Sequence, residues 1–423
     1  MIIIGVKMLR TYIFIALLLF SITPNPDFHA GRSVLNSDTH YKILIKVDPR
    51  IELICIVQTF TAWNEVGIVR NSSYKQRVVE YFSKYSDHEA ITLYEELLEK
   101  GFSFDAPIDF ILHLTEPPEL RIRIPFDEHL IERAGGNREL LMKFVHALRK
   151  FVKDTEFMKF IELNREFYRK IEERSRRDIN VSKIAYILRD FFGFLKHKNV
   201  IILAPLIHVT VGYGAYMSVN GTTEMYAVMG PTSLVPEERW RGKLAEYLAL
   251  HEFIHAYVNP LTDKYFEENP ESRSEMEPLM DPIFEKMRAM AYGALETTIN
   301  EHIVRAIMCL VKECHYGMSA TIELERQERA GFIYIKRIYK LVEEYYAKRK
   351  KVSFNEYHQK IMSLLKRSAE EVRAEKELRR SIDLVIVLEL INSIIMLVVL
   401  IVAIMTLLLL RRMGKLQTIK VGE

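Results

Sequence analysis

The sequence predicts an α+β fold that is mostly helical, with a small antiparallel sheet beside a helix carrying "HEFIH" at 251–255 and one transmembrane helix at the C-terminal end. Three observations predict it. Apolar residues recur at helical spacing through most of 60–195 and again from 237 onward. Between these stretches lie three β-rich segments, "NVIILAPL", "IHVTVGYGAYMSV" and "TEMYAVMG", and Asn220-Gly221 separates the last two. That dipeptide is a two-residue hairpin signal, because such turns need positive φ at both positions. Finally, residues 390–410, "LINSIIMLVVLIVAIMTLLLL", carry no charge.

Taken in order, "KILIKV" (42–47) alternates as a strand does, and "ELICIVQTF" (52–60) reads as a helix or a second strand. Ser86 and Glu89 have capping-box spacing, "AITLYEELLEK" supplies the apolar face, and Gly101 stands where a helix C-cap belongs. "NRELLMKFVHALRKFV" and "TEFMKFIELNREFYRKIEER" continue the helical period. The HEFIH helix spans 237–258 and is expected to stop at Asn259-Pro260, since proline has no N–H to continue the ladder. A polar, acidic connection follows at 261–282, then a second long helical stretch over 283–313. Residues 319–380 read as two charged amphipathic helices joined near "KRKKVSFNEY". The organisation expected is a signal segment at 1–30, a mainly helical region at 31–195 and a region with the HEFIH helix at 196–318. A helical stalk at 319–381, a membrane helix at 388–410 and a tail at 411–423 complete it.

A chain of 423 residues, 49% hydrophobic, has ample material for a large core. Net charge is only +3 with basic and acidic residues interleaved, which argues against a nucleic-acid partner. The apolar run of 21 residues would be about 31 Å long as a helix, the thickness of a bilayer's hydrocarbon core. A buried soluble helix is the alternative. Arg411, Arg412, Lys415 and Lys420 follow the run, so the positive-inside rule puts the short tail in the cytoplasm. At the other end Lys7 and Arg10 precede an apolar stretch from Thr11 to Ile22, as in a secretory signal peptide or an uncleaved signal anchor. The bulk of the chain, about 31–381, is therefore expected outside the cytoplasm, on a cell membrane crossed once. Cys55, Cys309 and Cys314 are an odd set, and the last two diverge on one helix, so no bridge joins them. Asn71, Asn180 and Asn220 begin sequons.

Positions i and i+4 share one face of a helix, so His251 and His255 can present two imidazole nitrogens to one ion. Glu252 projects about a quarter turn away, within reach of a water on that ion but not of the ion itself. This is why zinc peptidases use the pattern H-E-x-x-H. The alternative is a pair of histidines satisfied by hydrogen bonds. A third ligand is needed, and Glu275, Glu277, Glu285, Glu296, Glu301, His302 and His315 lie downstream. Glu301 is chosen because it sits mid-helix within an apolar frame of Ile299, Ile303 and Val304, where a rigid element holds a carboxylate in place. The apolar residues around the motif stop well short of a span, which disfavours an intramembrane protease.

HEFIH together with "INEH" (299–302) resembles the gluzincin zinc metallopeptidases, the thermolysin-like clan. "HEFIHAYVNPLTDKY" and "NEHIVRA" are more specifically similar to a group of predicted metallopeptidases with the motif H-E-F-x-H-x-x-V-N-P-L, carried as a domain of unknown function. "KVDPRIELICIVQ", "VVEYFSKYSDHEAITLYEELLEKGFSFDAPIDFILHL" and the strands from 199 extend the likeness over most of 40–315. The resemblance implies a zincin-like catalytic region, Zn2+ held by His251, His255 and Glu301, Glu252 as general base, and a peptide or protein substrate. Thermolysin-like enzymes carry an aspartate four residues after the glutamate ligand. Here that place is Arg305, so Asp263, Asp281 or a backbone carbonyl must orient a ligand histidine. Arg305 is then free to stabilise an oxyanion, grip a substrate carboxylate or form a surface ion pair. Tyr292 and His302 are candidates for holding the oxyanion. The glycines of "GYGAYM" would let a peptide backbone approach a sheet edge. Two other functions fit: a catalytically inactive, zinc-stabilised cell-surface binding or scaffold module, and an anchored helical interaction protein without metal.

Overall fold

In the computed structural model, Asp48 ends strand β1 (Ile43–Lys46) and starts helix α1 (Pro49–Thr59). Its carboxylate accepts from the Arg50 backbone N–H at 3.0 Å, and Pro49 takes the first helical position, where a missing N–H costs nothing. "ELICIVQTF" is thereby helix and not a second strand. The structure describes residues 43–196, 198–219, 221–233 and 239–419. The signal segment, the Asn220 sequon and the end of the tail lie outside the described residues.

Eight α-helices follow α1 before the next strand: α2 (Ser73–Phe82), α3 (Glu89–Glu99), α4 (Ala106–Leu112), α5 (Glu128–Arg133), α6 (Arg138–Asp154), α7 (Phe157–Leu163), α8 (Arg165–Asp178) and α9 (Val181–Phe192). Fully buried Phe82, Phe102, Phe110, Phe144 and Phe151 fill the space between them. α3 starts two residues later than a capping box at Ser86 would have it. His88 is the cap, its Nδ1 accepting from the Ala90 N–H at 3.1 Å.

Glu52 on α1 is fully buried. The Tyr74 hydroxyl donates to its Oε2, as does Tyr168 at 3.3 Å, while Oε1 has no partner among the described residues. Burial outweighs these donors and pushes the carboxyl up from 4.5 to about 7. The folded chain thus holds a proton that the unfolded chain has released, so this group's contribution is full below pH 4.5 and is lost as pH rises through 7. Glu52→Gln should raise the unfolding midpoint at pH 8 more than at pH 4.5; urea melts at the two values check it.

The sheet has the order β1–β2–β4–β3, with β2 (Lys198–Leu203), β3 (Gly212–Val219) and β4 (Thr222–Met229). It is mixed rather than antiparallel. β3 and β4 form the expected two-residue hairpin, Val219 opposite Thr222, but β1 pairs with β2 and β2 with β4 in parallel. Hairpin chemistry is local and readable, whereas parallel neighbours come together through long crossovers that leave no turn signature. Val200, Ile201, Ile202 and Leu203 are all fully buried, as central parallel strands are. β3 is the edge.

α10 (Gly242–Glu268) carries HEFIH and packs against β3 and β4. It does not stop at Asn259-Pro260 but runs through the proline. Proline removes the bond to the Ala256 carbonyl, yet Val258 and Thr262, both fully buried, and buried Tyr265 and Phe266 hold the last turns in place. The acidic connection is therefore largely helical: the end of α10, then α11 (Glu271–Met276) and a 3-10 turn (Glu277–Met280), with α12 (Phe284–Ala289) following it. The next long helix, α13 (Leu295–Tyr316), begins at Leu295 and packs against α10. α14 (Ala320–Ala330) and α15 (Ile335–Lys348) precede α16 (Phe354–Ile419). The helices from 320 to 369 pack on the body before any stalk begins: His358 on α16 meets Thr262 on α10 at 3.0 Å, both fully buried. From Arg373 to Arg412 every residue of α16 is exposed. That helix is long and apolar enough to cross a membrane, its most apolar window having a mean hydropathy of 3.2.

Candidate metal centre

One turn of α10 and the middle of α13 bring three side chains together. His251 Nε2 and His255 Nε2 lie 3.3 Å apart, His255 Nε2 is 3.3 Å from Glu301 Oε1, and His251 Nε2 is 3.7 Å from Glu301 Oε2. Phe253 and Ile254 anchor the histidine turn in the core; Ile299, Ile303 and Val304 do the same for Glu301. Ligand bonds of about 2.0–2.1 Å in a tetrahedral shell put donor atoms about 3.3 Å apart, close to these separations, so the trio could hold a metal ion. Side-chain exposures of 20%, 14% and 7% for His251, His255 and Glu301 leave the cluster open on the histidine side.

The protonation states of His251 and Glu301 suit ligation, whereas His255 is raised above its ordinary value, burial being outweighed by the Glu301 and Glu252 carboxylates. Burial pushes His251 down to about 4, so its imidazole is neutral at ordinary pH. Burial alone would push Glu301 up, but the Arg305 charge and the two imidazoles outweigh it and hold the carboxyl well below its usual range. His255 Nδ1 lies 3.0 Å from Asn259 Oδ1. A carboxamide oxygen only accepts, so Nδ1 carries the proton and the Nε2 lone pair faces the cluster. Asn259 is the residue missed in the sequence, although its i+4 spacing from His255 is the same spacing that links the two histidines. Of the alternatives, Asp263 accepts from the Tyr216 hydroxyl at 3.1 Å and Asp281 pairs with Lys376 at 2.6 Å.

Arg305 is not a surface ion pair. Its Nε donates to Glu301 Oε2 at 2.9 Å, Nη1 to Gln327 Oε1 at 3.2 Å and Nη2 to the Tyr292 hydroxyl at 3.3 Å, with the guanidinium 4.3 Å above the Phe332 ring. His302 points elsewhere, donating to the Thr298 carbonyl at 2.7 Å and packing on Phe332 and Tyr334. Glu296 pairs with Arg273, Glu275 with Lys366, and Glu277 and Glu285 are exposed. His315 meets Tyr346 at 3.4 Å.

Glu252 lies against β3. A Cβ on Gly212 would stand 2.7 Å from Glu252 Oε1; one on Gly214 would stand 3.0 Å from Oε2 and 3.1 Å from the Glu252 carbonyl. These glycines make room for this carboxylate, and that is the backbone approach they permit. Burial, with a smaller push from Glu301, outweighs His255 and Arg305 and raises the Glu252 carboxyl to about 7. Gly214→Ala should therefore displace the carboxylate while the ligand trio stays put. Metal content of the purified variant checks it: a value equal to that of the wild-type chain is expected.

A family model described as a domain of unknown function, DUF4932, matches residues 43–364. The chain belongs to this family. No curated protein and no solved structure matches it. The DUF4932 region opens on the first residue of β1 and closes within α16, five residues before the last fully buried side chain, Ala369. It includes α14 and α15, beyond the expected limit near 315, and so takes in Gln327 and Phe332, which hold Arg305.

Proposed function

We propose that this DUF4932 protein is a membrane-anchored, extracytoplasmic zinc metallopeptidase of the gluzincin type. The observation that carries the reading is the set of separations among His251, His255 and Glu301, 3.3–3.7 Å, with Glu252 on the same turn. His251 and His255 would hold the ion through Nε2 and Glu301 through a carboxylate oxygen. When bound, zinc supplies a Lewis acid and lowers the pKa of a water to about 7.

Glu252 is the general base in this reading. Its carboxyl, poised near 7, takes a proton at Oε1 or Oε2 and later returns one to the leaving amine. β3, one edge strand of the sheet, lies beside α10, and an extended peptide can align along it. Tyr292, its hydroxyl held by Arg305, is the candidate donor to charge developing on the scissile carbonyl. The exposed apolar end of α16 serves as the anchor.

The test is metal content of the detergent-solubilised full chain, followed by screening against a peptide library with and without chelator. About one zinc per chain and chelator-sensitive cleavage are expected. Absence of zinc in the wild-type chain, with no change of fold in His255→Ala, would overturn the reading.

A further inference from the structure

Glu301 has two oxygens, and they have different neighbours. Oε1 faces His255 Nε2 at 3.3 Å, whereas Oε2 accepts from Arg305 Nε at 2.9 Å and is 3.7 Å from the nearer His251 nitrogen. The guanidinium is itself immobilised from three sides: Gln327 on α14, the Tyr292 hydroxyl, and the face of fully buried Phe332. A carboxylate with no such neighbour can chelate an ion with both oxygens, and doing so would occupy the position that a catalytic site leaves open.

We infer that Arg305 is a positioning residue that divides the Glu301 carboxylate, reserving Oε2 for itself and leaving Oε1 as the single ligand atom. This rests on the metallopeptidase reading of the site. The planar fork of arginine is what the arrangement requires: Nε holds the carboxylate while Nη1 and Nη2 reach Gln327 and Tyr292, a set of directions a lysine ammonium cannot reproduce. It also gives α14 and the Phe332 segment a role at the centre, although neither supplies a ligand. The aspartate that thermolysin-like enzymes place here acts on a histidine; Arg305 acts on the carboxylate instead, and Asn259 holds the histidine.

The experiment compares the full chain with Arg305→Met and Arg305→Lys. Zinc affinity is read by chelator competition, and coordination number by the visible spectrum of the cobalt-loaded protein. Wild-type chain should show the intense visible bands of low-coordinate cobalt. Both variants should lose much of that intensity, as the second oxygen joins the ion, and zinc affinity should shift by about 10- to 100-fold. Arg305→Lys keeps the buried charge and so retains the fold if Arg305→Met does not. A cobalt spectrum and zinc affinity in Arg305→Lys equal to those of the wild type would overturn the inference while leaving the metal centre standing. Failure of the wild-type chain to bind either ion would overturn both.

Discussion

Glu252→Gln should leave zinc bound and lower kcat/KM by about three orders of magnitude on any peptide the wild-type chain cleaves, about 4 kcal/mol of barrier. The carboxylate touches none of the three donor atoms' bonds to an ion, since it projects from α10 toward the glycine gap of β3. An amide in the same volume fits between Gly212 and Gly214 but cannot accept a proton. Paired measurements of metal content and turnover decide the matter: full zinc with turnover within tenfold of wild type would remove Glu252 from the chemistry. Full zinc with no cleavage by the wild-type chain itself would instead point to a metal-stabilised binding module.

Glu301→Ala should have two effects that separate on addition of chelator. The ion loses a ligand from the only carboxylate in the trio, so zinc should no longer co-purify. Arg305, its side chain 15% exposed, also loses its anionic partner. Stranding a buried charge costs on the order of 3 kcal/mol, with partial exposure placing this case at the low end. The metal-free variant should then unfold at lower urea than the metal-free wild type. Chelator should lower the wild-type Tm, because ligand binding to the folded state adds RT ln(1 + [L]/Kd), and should leave that of Glu301→Ala unchanged. Equal urea midpoints for the two metal-free proteins would show that the Arg305–Glu301 pair contributes nothing net.

Much of this was legible in the sequence because it is local. The i, i+4 histidines, the Asn220-Gly221 hairpin and the apolar frame of Glu301 are each written within a few residues. What escaped depends on distant partners. The parallel pairing of β1 with β2 brings together segments separated by α1 to α9. Pro260 reads as a stop, yet tertiary burial of Val258, Thr262 and Phe266 carries α10 past it. Arg305 looked like a departure at one position; its meaning comes from Gln327, Tyr292 and Phe332, contacts that no spacing rule lists. Gly212 and Gly214 advertised a close approach but not whose backbone or side chain would use it.

Helix α16 is unbroken from its packed face near His358 to the uncharged run. The stretch 377–389, beyond the Lys376–Asp281 pair, is about 20 Å long at 1.5 Å per residue. If the uncharged run lies in a bilayer, as the proposed anchoring requires, such a rod acts as a mast and not as a tether: it fixes the altitude of the metal centre and lets it travel only sideways. On the metallopeptidase proposal, encounter would then be a two-dimensional search, favouring polypeptides whose cleavable segment stands at that height above the lipid over identical segments lying flat on the headgroups.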